Sequence, residues 1–190
     1  MNRMIWRAGA AAFVIVAACS NPNPIPNASV TNVMDTLTLW SLSDGPLTQP
    51  TAYSINNRNG VRTWEVGINF EFAFDENGAA QPVFLPIKVL NLLPSGAFQP
   101  GLRRETVAAG FDQMTKAPLN GYIVNDTIPI AVNDRFYVRT TVSSCSLLGV
   151  PLYAKLEVLA LDPVLHTVRF RAVANQNCGY RSLKLGIPKE

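Results

Sequence analysis

The sequence predicts an all-β protein built as an antiparallel β-sandwich. Short apolar segments alternate with polar residues at a period of two, turn residues (Gly, Pro, Asn and Asp) separate them, and helical periodicity is nearly absent from the 190 residues. About eight or nine strands are expected, and an immunoglobulin-like arrangement is one form they would take, with a β-barrel as the alternative. The immunoglobulin spacing of Cys, Trp and Cys is missing, because no Trp lies between Cys145 and Cys178.

The first two strands are predicted at residues 34–42 and 51–55. In the first, Thr and Trp side chains alternate with Leu and Ser before a turn at 43–46. Residues 56–60 contain Asn and Gly, which accept positive φ, and are expected to turn the chain after the second strand.

The strongest alternation in the chain lies at residues 64–74 and predicts one half-buried strand that anchors the core. Glu65 and Glu71 fall on its polar face and are expected to be solvent-exposed charges. The apolar face consists of Trp64, Val66, Ile68, Phe70, Phe72 and Phe74.

A hairpin turn at residues 75–78 and a return strand at 83–92 are expected next. Pro82 and Pro86 lack a backbone donor, so this strand should lie at an edge or carry a bulge. Residues 93–115 are the least regular region, with one helical turn expected at 111–116.

The C-terminal half predicts four further strands and a short edge strand. They lie at residues 122–124, 135–142, 153–161, 167–174 and 183–187. Asp162 and Pro163 begin the turn between the last two long strands. Cys145 and Cys178 each follow a strand, and in an oxidising compartment they are expected to form a disulfide; two buried free thiols are the alternative.

The N-terminus has the layout of a secretory signal. Arg3 and Arg7 precede an uncharged run at residues 8–18, which spans roughly 16 Å as a helix against a hydrocarbon core of about 30 Å. The run is too short for a transmembrane helix, so the chain is expected to be exported.

Val16-Ala17-Ala18-Cys19 resembles the bacterial lipobox, in which an aliphatic residue and two small residues precede a cysteine that is acylated. The resemblance implies that residues 1–18 are a signal peptide cleaved after Ala18 and that Cys19 carries the lipid. Two or three acyl chains anchor a protein stably without a membrane span. In double-membrane bacteria, an Asp directly after the lipidated cysteine favours the inner membrane. This chain has Ser20 there, which points to the outer membrane or the surface. An anchor on the periplasmic face of either membrane is the alternative.

Residues 19–32 are expected to be a lipidated tether and residues 33–190 one β domain. Pro22, Pro24 and Pro26 recur at every second position, which blocks helix formation and favours extended, solvated backbone. The domain should therefore stand off the lipid headgroups on a short stalk.

The charge balance argues against nucleic acid as a partner. Removing Arg3 and Arg7 from the 16 basic residues leaves 14 against 13 acidic residues, which is close to neutral. Arg103 and Arg104, the only adjacent basic pair, are interpreted as part of a solvated loop.

No catalytic residue, cofactor site or metal site is predicted. The chain has a single histidine, His166, at an expected hairpin tip, and no nucleophile motif accompanies it. The turn at 75–78 lacks the length and ligand number of a calcium loop. The protein is therefore expected not to be an enzyme.

The favoured hypothesis is a membrane-tethered accessory subunit that stabilises an envelope or membrane protein complex, a respiratory or photosynthetic complex being one form of this. An alternative is a lipoprotein that binds a small apolar molecule or a glycan through exposed aromatic side chains, with Trp40, Trp64, Tyr122 and Tyr137 as candidates. The predicted partner surface lies in the irregular region and consists of Leu92, Leu93, Phe98, Leu102 and Phe111.

Overall fold

A computed structural model of the chain describes residues 25–67, 69–92, 99–107, 110–141, 145 and 148–189. These residues contain ten strands, one short helix α1 (Thr63–Val66) and a 3-10 turn at Phe111–Gln113. The strands are β1 (Met34–Trp40), β2 (Ala52–Ser54), β3 (Asn59–Val61), β4 (Phe72–Glu76), β5 (Pro82–Pro86), β6 (Gly101–Arg104), β7 (Ile128–Pro129), β8 (Arg135–Arg139), β9 (Tyr153–Asp162) and β10 (Thr167–Asn175).

The strands form two antiparallel sheets of five strands each, which confirms the predicted β-sandwich. The first sheet has the order β1-β10-β9-β8-β6 and the second the order β3-β2-β4-β5-β7. Both sheets are open in the part of the chain that the structure describes, so the alternative of a closed barrel does not hold. None of the helices among these residues has the length and apolar composition of a membrane span.

Aromatic side chains from both sheets meet in the core between them. The ring of Phe84 in β5 lies 4.5 Å from that of Phe72 in β4, 5.7 Å from that of Phe136 in β8 and 6.4 Å from that of Phe170 in β10. All four side chains are fully buried. Aromatic pairs at such centroid distances contribute beyond the area they bury, so this cluster holds the two sheets together.

The prediction of one long strand at residues 64–74 is wrong for the first half of this range. Residues 63–66 form α1, and Gly67 follows with φ 58° and ψ −117°, a conformation that redirects the chain before β4 begins at Phe72. Trp64 is therefore 53% exposed instead of buried. Phe72 and Phe74 do lie in the core between the sheets, whereas Phe70 packs in a separate cluster with Ile87. Ile68 lies outside the described residues.

Glu71, predicted to be exposed, is buried. Only 3% of the residue is accessible to solvent, and its Oε2 accepts a 2.7 Å hydrogen bond from the backbone N–H of Ile55. Alternation alone does not foresee this, because the donor lies 16 positions earlier, in the segment after β2.

Three shorter predictions also change. β6 lies within the region predicted to be irregular, so Arg103 and Arg104 belong to a strand and not to a loop. Residues 122–124 contribute only an isolated bridge from Ile123 to Leu102, and 183–187 only one from Gly186 to Asn32. Ile123 meets the strand β6 at this one position, and Gly186 meets a segment outside the strands.

The hairpin of β9 and β10, the strand β8 and the turn after Asp162 lie where the sequence predicts them. The Sγ atoms of Cys145 and Cys178 are at bonding distance and their Cα atoms are 5.8 Å apart, so the predicted disulfide is present. It joins the segment after β8 to the segment after β10.

Loops cover part of the outer face of the first sheet. The side chains in this layer are buried and consist of Phe111, Met114, Ala117, Tyr137, Tyr153, Val173 and Leu183. Lys155 reaches into the layer, where its Nζ donates to the carbonyl oxygen of Phe111 at 2.9 Å, and burial lowers the pKa of this lysine. Because of this layer, the charged group of Lys155 faces protein atoms instead of solvent.

Candidate functional site

The end of the predicted tether is part of the fold. Asn177 accepts hydrogen bonds at 2.9 Å from the backbone N–H groups of Ser29 and Val30 through Oδ1, and its Nδ2 donates to the carbonyl oxygen of Val30 at 2.8 Å. The hydroxyl of Tyr180 accepts a further bond from the backbone of Ala28. The docked segment therefore begins at Ala28, before the predicted domain boundary at residues 32 and 33.

Asn32 completes this attachment. It is 1% exposed, pairs with Gly186 through two backbone hydrogen bonds of 2.9 and 3.0 Å, and donates from Nδ2 to the carbonyl oxygens of Ser182 and Lys184. We call the end of the sandwich formed by residues 25–33 and 177–189 the tether pole. Its hydrogen bonds hold residues 29–32 against the C-terminal segment.

Gly179 allows the tether to lie close to the C-terminal segment. A Cβ atom at this position would lie 2.9 Å from Cδ1 of Ile25, and the backbone adopts a φ of +85°. A side chain here would be strained and would push Ile25 away. Ile25 is therefore held on the tether pole although half of it is exposed.

Exposed lysines and aliphatic residues share the surface beside this attachment. They line two adjoining depressions of about 170 and 310 Å³ that have Ser182, Lys184 and Lys189 in common. We define the lysine face as Lys116, Lys184, Leu185, Ile187 and Lys189. Every charged residue that the structure places along the two depressions is a lysine.

The opposite end of the sandwich is formed by residues 41–47, 76 and 162–166, and we call it the distal pole. β10 runs from Thr167 at the distal pole to Asn175 at the tether pole, and β1 runs the other way beside it. At about 3.3 Å per residue, the nine residues of β10 separate the two poles by about 26 Å.

The distal pole brings together three chain segments that are far apart in sequence. Nδ1 of His166 lies 2.9 Å from Oε2 of Glu76, and one ligand atom each of Asp44, Glu76 and His166 lie within 4.8 Å of one another. The backbone N–H of Ser41 donates to the carbonyl oxygen of His166 at 2.8 Å. Both sheets therefore contribute to this cluster.

Asp75 holds the loop that carries Asp44. Its carboxylate accepts hydrogen bonds from the hydroxyls of Ser41 at 2.6 Å and Ser43 at 2.8 Å, and it is 9% exposed. Around this fixed loop the distal pole exposes large aliphatic side chains. Their exposed fractions are 76% for Leu47, 82% for Val164 and 62% for Leu165.

The hydrogen bond to Glu76 raises the pKa of His166 above its usual 6.5, and the charges of Glu76, Asp44 and Asp162 act in the same direction. We expect a proton NMR titration of the imidazole to have a midpoint above 6.5. The chain has one histidine, so the signal needs no assignment. The stabilisation from the protonated pair should be complete below pH 6.5 and be lost as the pH rises through the raised pKa.

Replacing Glu76 with Gln should move this midpoint down towards 6.5, because the paired charge is removed. Glu65→Gln is the matched control, because Glu65 lies in α1 and pairs with Arg62. This variant should leave the titration of His166 unchanged. A midpoint at or below 6.5 in the unaltered protein would contradict the ion pair.

Two of the five residues of the predicted partner surface are buried in the part of the chain that the structure describes. Leu102 is fully buried between the sheets and Phe111 is 2% exposed in the outer layer, so neither presents an apolar surface to solvent. Leu92 is half-buried beside the cluster around Ile87. Leu93 and Phe98 lie outside the described residues, as do the predicted lipidation site Cys19 and the cleavage site Ala18.

The aromatic residues of the ligand-binding alternative do not gather at one surface. Tyr137 is 8% exposed, and Tyr122 is half-buried under the guanidinium of Arg139, 4.5 Å from its ring centroid. Trp40 is also half-buried, and Trp64 alone of the four is more than half exposed. None of them lines the two depressions of the lysine face.

The sequence reasoning missed Asp44 and Glu76 as companions of His166. They lie in a turn and at the end of a strand, 122 and 90 positions before the histidine, and no local spacing links them.

Comparison with protein-family models, with characterised proteins and with solved structures finds no match to this chain.

Proposed function

We propose that this protein is an exported, lipid-anchored β-sandwich that acts without catalysis, as an accessory subunit that stabilises an envelope or membrane protein complex. The proposal takes the lipobox-like segment at the N-terminus as its starting point. The observation that carries it is the docking of residues 28–32 on the C-terminal segment, because it gives an anchored domain a defined orientation.

The length of chain between anchor and domain supports a position close to the membrane. Cys19 and Ile25 are six residues apart in sequence, and such a segment reaches at most about 20 Å when fully extended. Because Ile25 lies on Gly179, the tether pole stays within this reach of the lipid headgroups, and the distal pole points away from them.

The distal pole is the surface we assign to a protein partner. It exposes Leu47, Val164 and Leu165 around the carboxylates of Asp44 and Glu76, and exposed aliphatic side chains with a polar rim are typical of protein contacts. The exposed carboxylate of Asp44 fits a partner with a basic group at this position. Tethering both proteins to one membrane raises their effective concentration, so a modest contact area suffices.

Intact-mass measurement on protein extracted from membranes tests the anchor. We expect the mass of residues 19–190 plus the acyl groups, and we expect Cys19→Ala to abolish both the acyl mass and membrane retention. An unprocessed chain without acyl mass would refute the lipid anchor.

Co-purification from native membranes in mild detergent tests the accessory role. The unaltered protein should elute with a defined partner, and the double variant Val164→Asp and Leu165→Asp should elute without it. Val107→Asp is the matched control, because Val107 is also exposed, at 68%, but is not among the residues that form the distal pole. An unaltered protein that elutes as a lone monomer under every condition would count against the proposal.

A further inference from the structure

We propose that the lysine face binds the anionic headgroups of the membrane that holds the protein, which rests on the proposed lipid anchor. The inference concerns a second contact with the membrane, made by protein side chains and independent of the acyl chains. It assigns a ligand chemistry, phosphate-bearing lipid headgroups, to the exposed side chains of this surface.

The first step is charge. Lys116, Lys184 and Lys189 are exposed and line the two depressions. Cations of this kind near an anionic membrane each contribute about fivefold to binding. Lys184 and Lys189 together should therefore contribute on the order of twentyfold.

The second step is the apolar component of the same surface. Leu185 is 61% exposed and Ile187 is 55% exposed, and both line the larger depression with Lys184 and Lys189. Aliphatic side chains beside lysines can enter the boundary between headgroups and acyl chains while the ammonium groups stay at the phosphates.

The third step is position. Asn32, at the base of the tether, is hydrogen-bonded to Lys184 and Gly186, so the lysine face belongs to the segment on which the tether is docked. Ile25 is fixed on Gly179, five residues before Lys184. An anchor at Cys19 thus holds this face, and not the acidic distal pole, within about 20 Å of the headgroups.

Lysine labelling on vesicles tests the inference. The natively acylated protein is reconstituted in phosphatidylcholine vesicles with or without phosphatidylglycerol and treated with a water-soluble amine-acylating reagent, and the modified lysines are quantified by mass spectrometry. We expect labelling of Lys184 and Lys189 to fall about fivefold or more when phosphatidylglycerol is present. Added salt should restore it, because salt screens the attraction.

Arg169→Lys supplies a reporter lysine at an exposed position near the distal end of β10, and its labelling should be the same on both vesicle types. In a second pair of variants the protection of Lys116 is measured. It should be lost in Lys184→Glu, and it should persist in Arg169→Glu, which makes the same change of charge away from the face.

Equal labelling of Lys184 and Lys189 on the two vesicle types would overturn the inference. The inference would also be overturned if inorganic phosphate, added to phosphatidylcholine vesicles, protected Lys184 and Lys189 from labelling as strongly as phosphatidylglycerol does. The face would then be a site for a soluble anion. Failure of the anchor itself is distinguishable, since an unacylated protein shows no acyl mass and does not float with either type of vesicle.

Discussion

The free energy of unfolding should fall by on the order of 3 kcal/mol as the pH rises from about 4.5 to about 8. Burial raises the pKa of Glu71 from its usual 4.5 to about 8, and the hydrogen bond from the Ile55 N–H only partly offsets this. The folded protein therefore keeps a proton that the unfolded chain releases. Stability from this group is complete below about pH 4.5 and is lost as the pH approaches and passes the raised pKa.

Chemical denaturation at a series of pH values measures this effect. Glu71→Gln should flatten the dependence over the same range and should unfold at higher denaturant than the unaltered protein at pH 8, because the amide accepts the Ile55 bond without a charge. Glu65→Gln should keep the full dependence, since Glu65 is exposed. An unchanged slope in Glu71→Gln would assign the pH dependence to other groups.

Loss of the bond between Cys145 and Cys178 should lower the free energy of unfolding by about 3.5 kcal/mol, the value expected for a closed loop of this length. The two residues are 33 positions apart, and the loop they close contains β9 and β10, the central pair of the first sheet. The bond therefore restricts the conformations of the unfolded chain in the region that contains most of the residues of this sheet.

The double variant Cys145→Ser and Cys178→Ser should unfold at lower denaturant than the unaltered protein. Addition of a reductant should shift the denaturation midpoint of the unaltered protein by the same amount. Reductant should leave the double variant unaffected, which separates the disulfide from side effects of the reagent. Two titratable thiols in the unreduced, unfolded protein, with an unchanged midpoint on reduction, would contradict this expectation.

The limits of the sequence are clearest at residues 64–74. Period two is a local pattern, and Phe72 and Phe74 follow it into the core, but α1 and the positive φ of Gly67 interrupt it before β4. Alternation also assigns one polar face to a strand. Glu71 lies on that face and is buried, and its carboxyl group accepts a hydrogen bond from the backbone of Ile55.

The candidate sites divide in the same way. The count of cysteines and the compartment predict the pairing of Cys145 and Cys178 without knowledge of the fold. Apolar composition predicts a partner surface that includes Leu102 and Phe111, but both are buried, because a run of apolar residues does not reveal whether solvent or a protein layer covers it. The exposed aliphatic residues Val164 and Leu165 lie instead at a hairpin tip that the sequence identifies only as a turn.

The sequence is sufficient to predict the all-β class, the strands β8, β9 and β10, the turn between the last two and the disulfide. Each of these depends on local alternation, on turn residues or on a count of cysteines. The burial of Glu71, the docking of residues 28–32 and the meeting of Asp44, Glu76 and His166 are visible only in the folded chain. These features arise from contacts between segments up to about 150 positions apart, and such contacts leave no periodic signal in either segment.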